Sequence, residues 1–353
     1  MSLLSKPGEY LQIFKLMREA SRLGVDVNDL PMDVVAAALR HKKADPARHG
    51  LVPDAALTTK PAPDPELDQA TAAAKAGQWE PAAWLIARTW LDWDRRAVVV
   101  DHFGALAAHD DTWLTAWRAA RPDDGDLAVV HADSLVMLAW QIRGSAYADV
   151  TTREQGEGFR RVLGQAEEAA WNATRRMPDD PTPWVTLITL ARGLSYDHDA
   201  FGRLWNGLVE RAPHHLGGHV QALQYWCRKW HGSHEQMNAF ADRAAASSPT
   251  LARLPFDAAM EMDGADGAEW RSPSVQRSIA TMLAQPNLRN NDRAWLAYAL
   301  TQSKRYDEAV EQFRVLGTDA SRGPWASWDD DDGAKLIFAE TRAKACRYAR
   351  PRR

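Results

Sequence analysis

Three prolines, Pro178, Pro213 and Pro249, follow one another at intervals of 35 and 36 residues, and each closes the same pattern. Ahead of them lie Ala166, Ala170 and Ala173; Phe201, Trp205 and Leu208; and Met237, Ala241 and Ala244. Each triplet is spaced by four and then three residues, which lines one face of an α-helix. The proline five residues later removes a backbone donor and stops that helix. A fixed period in this range marks stacked helical hairpins, each too small to bury its apolar face alone. The pattern predicts an all-α chain.

The same period reaches further along the chain. Val275, Ile279 and Leu283 precede Pro286, and Tyr306, Ala309, Phe313 and Leu316 precede Ser321, two periods after Pro249. Upstream, Leu114 and Trp117 precede Pro122, which stands 56 residues before Pro178: one period plus about twenty residues. We assign the surplus to residues 143–158, with Gly144, Gly156 and Gly158, as a long loop or an extended first helix. Insertions of this kind in helical repeats tend to lie on the binding face. Trp79, Ala82 and Ile86 open the series. Residues 66–353 therefore read as one helical-repeat domain of about six to seven hairpins. A helix over Lys335–Tyr348 caps it, because a terminal repeat needs a polar outer face. Residues 1–43 read as a helical pair, with an apolar stripe of Tyr10, Ile13, Phe14 and Met17. Residues 44–65, with Pro46, Pro53, Pro61, Pro63 and Pro65, read as a partly extended linker.

The proline-closed segments resemble the second helix of tetratricopeptide repeats. That helix carries an aromatic residue, a small one three later, a large apolar one four later, a small one three later, and a closing proline. Alanine replaces the large residue in the copies ending at Pro178 and Pro249. The copy ending at Pro213 has large residues where small ones are usual. Trp184 and Leu187 stand where the family's first helix has a tryptophan and a leucine. The resemblance covers residues 66–321 in pieces. It implies a right-handed solenoid whose first helices line a concave surface that receives a peptide or protein segment.

Composition narrows the function. The net charge of −4 gives no global field for nucleic acid or anionic membrane. Charges interrupt every apolar run, so no membrane span is expected. Two cysteines, Cys227 and Cys346, make no disulfide framework, and a reducing cytoplasm is the expected setting. The 16 tryptophans suit helix–helix interfaces first and a ligand groove second. Trp79, Trp84, Trp90 and Trp93 near Arg88, Arg95 and Arg96 could stack bases, but Asp92 and Asp94 stand beside them and argue against nucleic acid.

No motif carries an enzyme's chemistry. Asp329–Asp332 are consecutive, unlike the alternating ligands of a calcium loop, and suit a helix N-terminus. His214, His215, His219, His231 and His234 cluster in sequence without the converging spacing that zinc needs. Ser233 follows Gly232 as a helix N-cap, with no strand before it to build a nucleophile elbow. No Gly-rich phosphate loop is present. No metal or other cofactor is expected.

Arginine is the sharper signal. Arg192 and Arg228 each stand nine residues before an anchor position, Phe201 and Met237, and Arg143 precedes Gly144 in a similar setting. Guanidinium forks at such positions suit carboxylates, although arginine at a helix C-terminus also suits the helix dipole. Arg192, Arg228 and Arg143, with Tyr225 and His219, are the candidate ligand-binding residues. The expected function is a non-enzymatic scaffold or adaptor that holds an acidic or C-terminal segment of a protein partner. The alternatives are an all-helical enzyme with an aromatic-rich cavity, or a sensor of a small anionic ligand. The oligomeric state is not fixed by the sequence.

Overall fold

Each proline-closed run ends a helix where the periodicity places it. In the computed structural model the helices Arg153–Arg176, His198–Arg211 and His234–Ser247 stop two residues before Pro178, Pro213 and Pro249. Residues 45–143, 153–262, 267–327 and 331–350 are described, together with residues 22, 23 and 34. The helical pair expected in residues 1–43 and the 144–152 part of the expected insertion lie outside the described residues. Among the described residues the chain is all-helical, and its one β-bridge, Thr58 with Asp319, is isolated.

Packing divides the chain into two units, residues 63–254 and residues 255–353 with the described chain before Pro63. Residues 63–254 form five helical hairpins. The first is α1 (Pro65–Lys75) with α2 (Glu80–Arg88), and the second α3 (Trp93–His109) with α4 (Thr112–Ala120). The third is α5 (Gly125–Arg143) with α6 (Arg153–Arg176), and the fourth α7 (Thr182–Gly193) with α8 (His198–Arg211). The fifth is α9 (Leu216–Tyr225) with α10 (His234–Ser247). The periodic apolar faces form the interior: Ala166, Ala170, Ala173, Leu208 and Met237 have no exposed surface. Trp184 of α7 lies so close to α8 that a Cβ at Gly207 would stand 2.1 Å from its ring. Trp79 stacks on Trp117, and Trp113 and Phe103 complete that aromatic layer.

The first helices of successive hairpins pack on one another, α3 on α5, α5 on α7 and α7 on α9. In addition α3 touches both α7 and α9. A simple linear stack makes contacts only between neighbouring repeats. Here four first helices gather closely enough to share their ends, and this places the sites described below.

The second unit holds α11 (Leu254–Met262), α12 (Pro273–Leu283), α13 (Asn290–Gln302), α14 (Tyr306–Leu316) and α15 (Asp331–Tyr348). Phe313, Trp325 and Phe338 pack edge and face at its centre. The helix expected at the C-terminal end is present and begins within the aspartate run, whose side chains lie outside the described residues. The proline-rich stretch is more ordered than a linker. It makes two 3-10 turns, Pro46–His49 and Asp54–Ala56. Arg314 of α14 donates to the His49 carbonyl at 2.7 Å, and Arg342 of α15, fully buried, pairs with Asp54. Thr58 exchanges backbone hydrogen bonds with Thr318 and Ala320, both at 2.9 Å.

Candidate functional site

The N-terminal ends of α3, α5, α7 and α9 meet around one buried cation. Arg96, in the first turn of α3, has no exposed surface. Its Nε donates to Asp180 Oδ2 at 2.8 Å and its Nη2 to Asp126 Oδ1 at 2.6 Å. Its Nη1 donates to the Ile86 carbonyl at 3.1 Å. Asp126 lies in the first turn of α5, and Asp180, itself fully buried, also accepts from the Thr182 amide at the start of α7. Burial alone would lower the Arg96 pKa, but Asp180 and Asp126 outweigh it and raise it. His215 caps α9, its Nδ1 accepting from the Gly218 amide at 3.0 Å. Burial holds His215 below the usual histidine range, against the pull of Asp94 and Asp180. Apart from the Ile86 carbonyl near the end of α2, every element of this cluster is a helix start, where the anionic side chains suit the dipole.

The C-terminal ends of the same helices carry a different cluster. Arg143 ends α5, and its guanidinium lies 5.4 Å from the Trp140 ring centre and 5.8 Å from that of Trp230. Arg192, in the last turn of α7, lies 5.0 Å from Trp140 and 5.3 Å from Trp230. The two indoles meet edge to face at 6.1 Å, and Phe159 packs against Trp140 at 5.1 Å. Two cations thus share two aromatic faces, which offset part of the guanidinium charge beside solvent. Among the described residues Arg143 forms no ion pair with any carboxylate. Arg192 Nη1 reaches Gln221 Oε1 of α9 at 3.4 Å. His231 Nε2 donates to the Arg192 carbonyl at 3.0 Å, which fixes the end of α7 against the turn after α9.

The structure therefore brings Arg143 and Arg192 together. Arg228 is elsewhere: α9 ends at Tyr225, three residues short of it, and Arg228 is exposed. Tyr225 has no exposed surface; its ring stacks on Phe201 at 3.9 Å and its hydroxyl donates to the Tyr196 carbonyl at 2.7 Å. His219 is also interior, set edge to face with Trp205 at 4.8 Å, with Nδ1 donating to the His215 carbonyl at 3.0 Å. Burial lowers its pKa to about 4, so it is neutral at neutral pH. Tyr225 packs on His231, which holds the Arg192 carbonyl, whereas His219 sits near the start of α9 between Trp205 and Phe240. Trp140 and Trp230, which complete the cluster, stand 90 residues apart, a separation that no helical period reports.

The remaining candidates resolve into structural roles. Ser233 caps α10, accepting from the Gln236 amide at 3.1 Å. Among the described residues no three His, Cys, Asp or Glu side chains converge as a metal site. Among them, too, no helix is long and apolar enough to cross a membrane. No protein-family model, curated protein or solved structure matches the chain, so the geometry of these two helix-end clusters is what bears on function.

Proposed function

We propose that the chain is a non-enzymatic binding protein of tetratricopeptide-like helical hairpins, stacked as a solenoid wound tightly enough for α3 to touch α7 and α9. Its ligand is an acidic or C-terminal segment of a protein partner, received at the C-terminal ends of α5 and α7. The observation that carries this reading is the convergence of Arg143 and Arg192 on Trp140 and Trp230. Guanidinium groups present paired donors to a carboxylate, and the indoles add rigid apolar contact beside them. Both arginines are half-buried, so a carboxylate seated there would be partly desolvated, where charge-assisted bonds are strongest.

Peptides with a free C-terminal carboxylate, compared with the same peptides amidated, test this. Calorimetry against the wild type and Arg143→Gln/Arg192→Gln should show preference for the free carboxylate. The double variant should lose about 2–5 kcal/mol of binding. Equal affinity for free and amidated peptides would end the proposal.

A further inference from the structure

In the second unit, the guanidinium of Arg342 in α15 is as buried as that of Arg96 but is met differently. All three nitrogens of Arg96 find acceptors, in two carboxylates and a carbonyl. Arg342 has no exposed surface, and only its Nη2 is met, by Asp54. Its Nε and Nη1 are buried without a hydrogen-bond partner. Asp54 is its one ion pair, and Asp54 is exposed. A second guanidinium reaches the same short segment. Arg314, in the last turn of α14, donates from Nη2 to the His49 carbonyl and pairs through Nη1 with Glu311 of its own helix. Its Nε is likewise buried and unpartnered. Gly50 follows the first 3-10 turn with φ +66°, in the left-handed region that favours glycine. A Cβ there would stand 3.9 Å from Arg314 Nε and, its chain neighbours aside, would meet nothing else within 4 Å. Glycine therefore leaves the space beside that donor open. Helix α14 packs on α15, and α15 packs on Pro46–His49, so both arginines lie against one stretch of chain. Cys346, one turn past Arg342, lies in the field of both guanidiniums and of Asp54. Burial pushes its thiol up to about 11, so it is neutral at neutral pH and supplies no countercharge.

A buried donor without an acceptor is costly, and most costly on a charged group. Such a group in a folded chain calls for an explanation, commonly an ordered water or ion. Here three open N–H donors stand on two cations whose acids, Asp54 and Glu311, are both on the solvent side. That charge balance favours an anion over water. A tetrahedral oxyanion presents oxygens in several directions, so it can accept from two separate guanidiniums at once, whereas a carboxylate offers its oxygens in one plane. We propose that Arg342 and Arg314 hold a small tetrahedral oxyanion, of the phosphate or sulfate type, between α14, α15 and the segment from Pro46 to Asp54. The anion accepts from Arg314 Nε and from one open edge of Arg342. Because His49 and Asp54 are bonded to the same two arginines, the bound anion also fastens that segment to the helices. The site makes no use of Arg143 or Arg192 and is independent of the carboxylate-binding reading above.

Inorganic phosphate is the probe. Titration calorimetry of phosphate into the full chain, with ionic strength held constant by chloride, should show saturable binding at one site. Sulfate should compete with it and acetate should not. Arg314→Gln, at a side chain that is not fully buried, should keep the fold and weaken phosphate binding about ten-fold. Arg143→Gln/Arg192→Gln should bind phosphate as the wild type does. Arg48, exposed in the Pro46–His49 turn, gives a second readout through tryptic cleavage after it. With phosphate at about ten times its Kd, that cut should slow about ten-fold relative to chloride. Arg342→Gln should abolish both effects. If that variant fails to fold, Arg314→Gln and the tryptic readout on the wild type still decide. Absence of saturable phosphate binding would overturn the inference. So would binding that is unchanged in Arg314→Gln, or binding that disappears in Arg143→Gln/Arg192→Gln.

Discussion

At the N-terminal ends of α3, α5 and α7 one guanidinium, Arg96, is enclosed by Asp126, Asp180 and a backbone carbonyl. At the C-terminal ends of α5 and α7 two guanidiniums, Arg143 and Arg192, lie on Trp140 and Trp230. The acids of the first cluster and the bases of the second suit the helix dipole, whereas Arg96, at a helix start, opposes it and is offset by Asp126 and Asp180. The clusters differ in what balances the charge. Arg96 is fully buried, and its charge is met by two carboxylates belonging to the chain itself. The other pair is half-buried and set on aromatic faces, which stabilise a cation. The first cluster ties helices together; the second is where we propose that a ligand is met.

The largest expected effect lies at the buried end. Arg96→Ala leaves Asp126 and Asp180 without their cation and should cost about 3–5 kcal/mol in denaturant unfolding. Replacing all three by apolar or amide residues of similar size, as in Arg96→Met/Asp126→Asn/Asp180→Asn, should recover most of that loss. A midpoint unchanged in Arg96→Ala would erase the contrast between the two ends.

Acid comes next. His219 and His131 are held near pKa 4, both chiefly by burial, against a usual histidine value near 6.5. Depressed histidine pKa values mean that the unfolded chain binds more protons, so stability is full above about pH 6.5 and falls towards pH 4. For His219 the shift is worth roughly 3 kcal/mol. Unfolding midpoints at pH 7 and pH 5 should differ accordingly, and His219→Phe should flatten part of the slope.

Smaller effects belong to the exposed end. Trp230→Leu keeps apolar bulk but removes a face shared by both arginines, and should cost about 1–2 kcal/mol. Arg143→Gln and Arg192→Gln should each change stability by only about 0.3–1 kcal/mol, the scale of a helix-end charge. If these two variants were as damaging as Arg96→Ala, the C-terminal cluster would be structural too.

The helix ends were legible because proline acts locally: Pro178, Pro213 and Pro249 punctuate the chain wherever they fall. The buried faces of α6, α8 and α10 were legible for the same reason, since i, i+4, i+7 spacing is a property of one helix. Arg96 was not. In sequence it sits among tryptophans and aspartates and resembles a surface cluster. Its partners stand 30 and 84 residues away, a separation that no periodicity reports. Arg192 and Arg228 were found by standing nine residues before an anchor position, and Arg143 by its similar setting before Gly144. The spacing failed for Arg228 because α9 ends early and the chain turns at Trp226. Tyr225 and His219 lie on the buried side of α9, a choice of face set by α8 and α10 packing beside it.

The hydrogen bonds from Arg314 to His49 and from Arg342 to Asp54 span 265 and 288 residues of sequence. A ribosome releases residues 45–58 long before α14 and α15 exist. By then all five hairpins of residues 63–254 have emerged, with their cores and the Arg96 cluster complete within that stretch. The early segment must therefore wait, exposed, while a whole helical unit folds between it and its partners. Its prolines shorten that risk, since they keep a waiting chain from pairing as a strand.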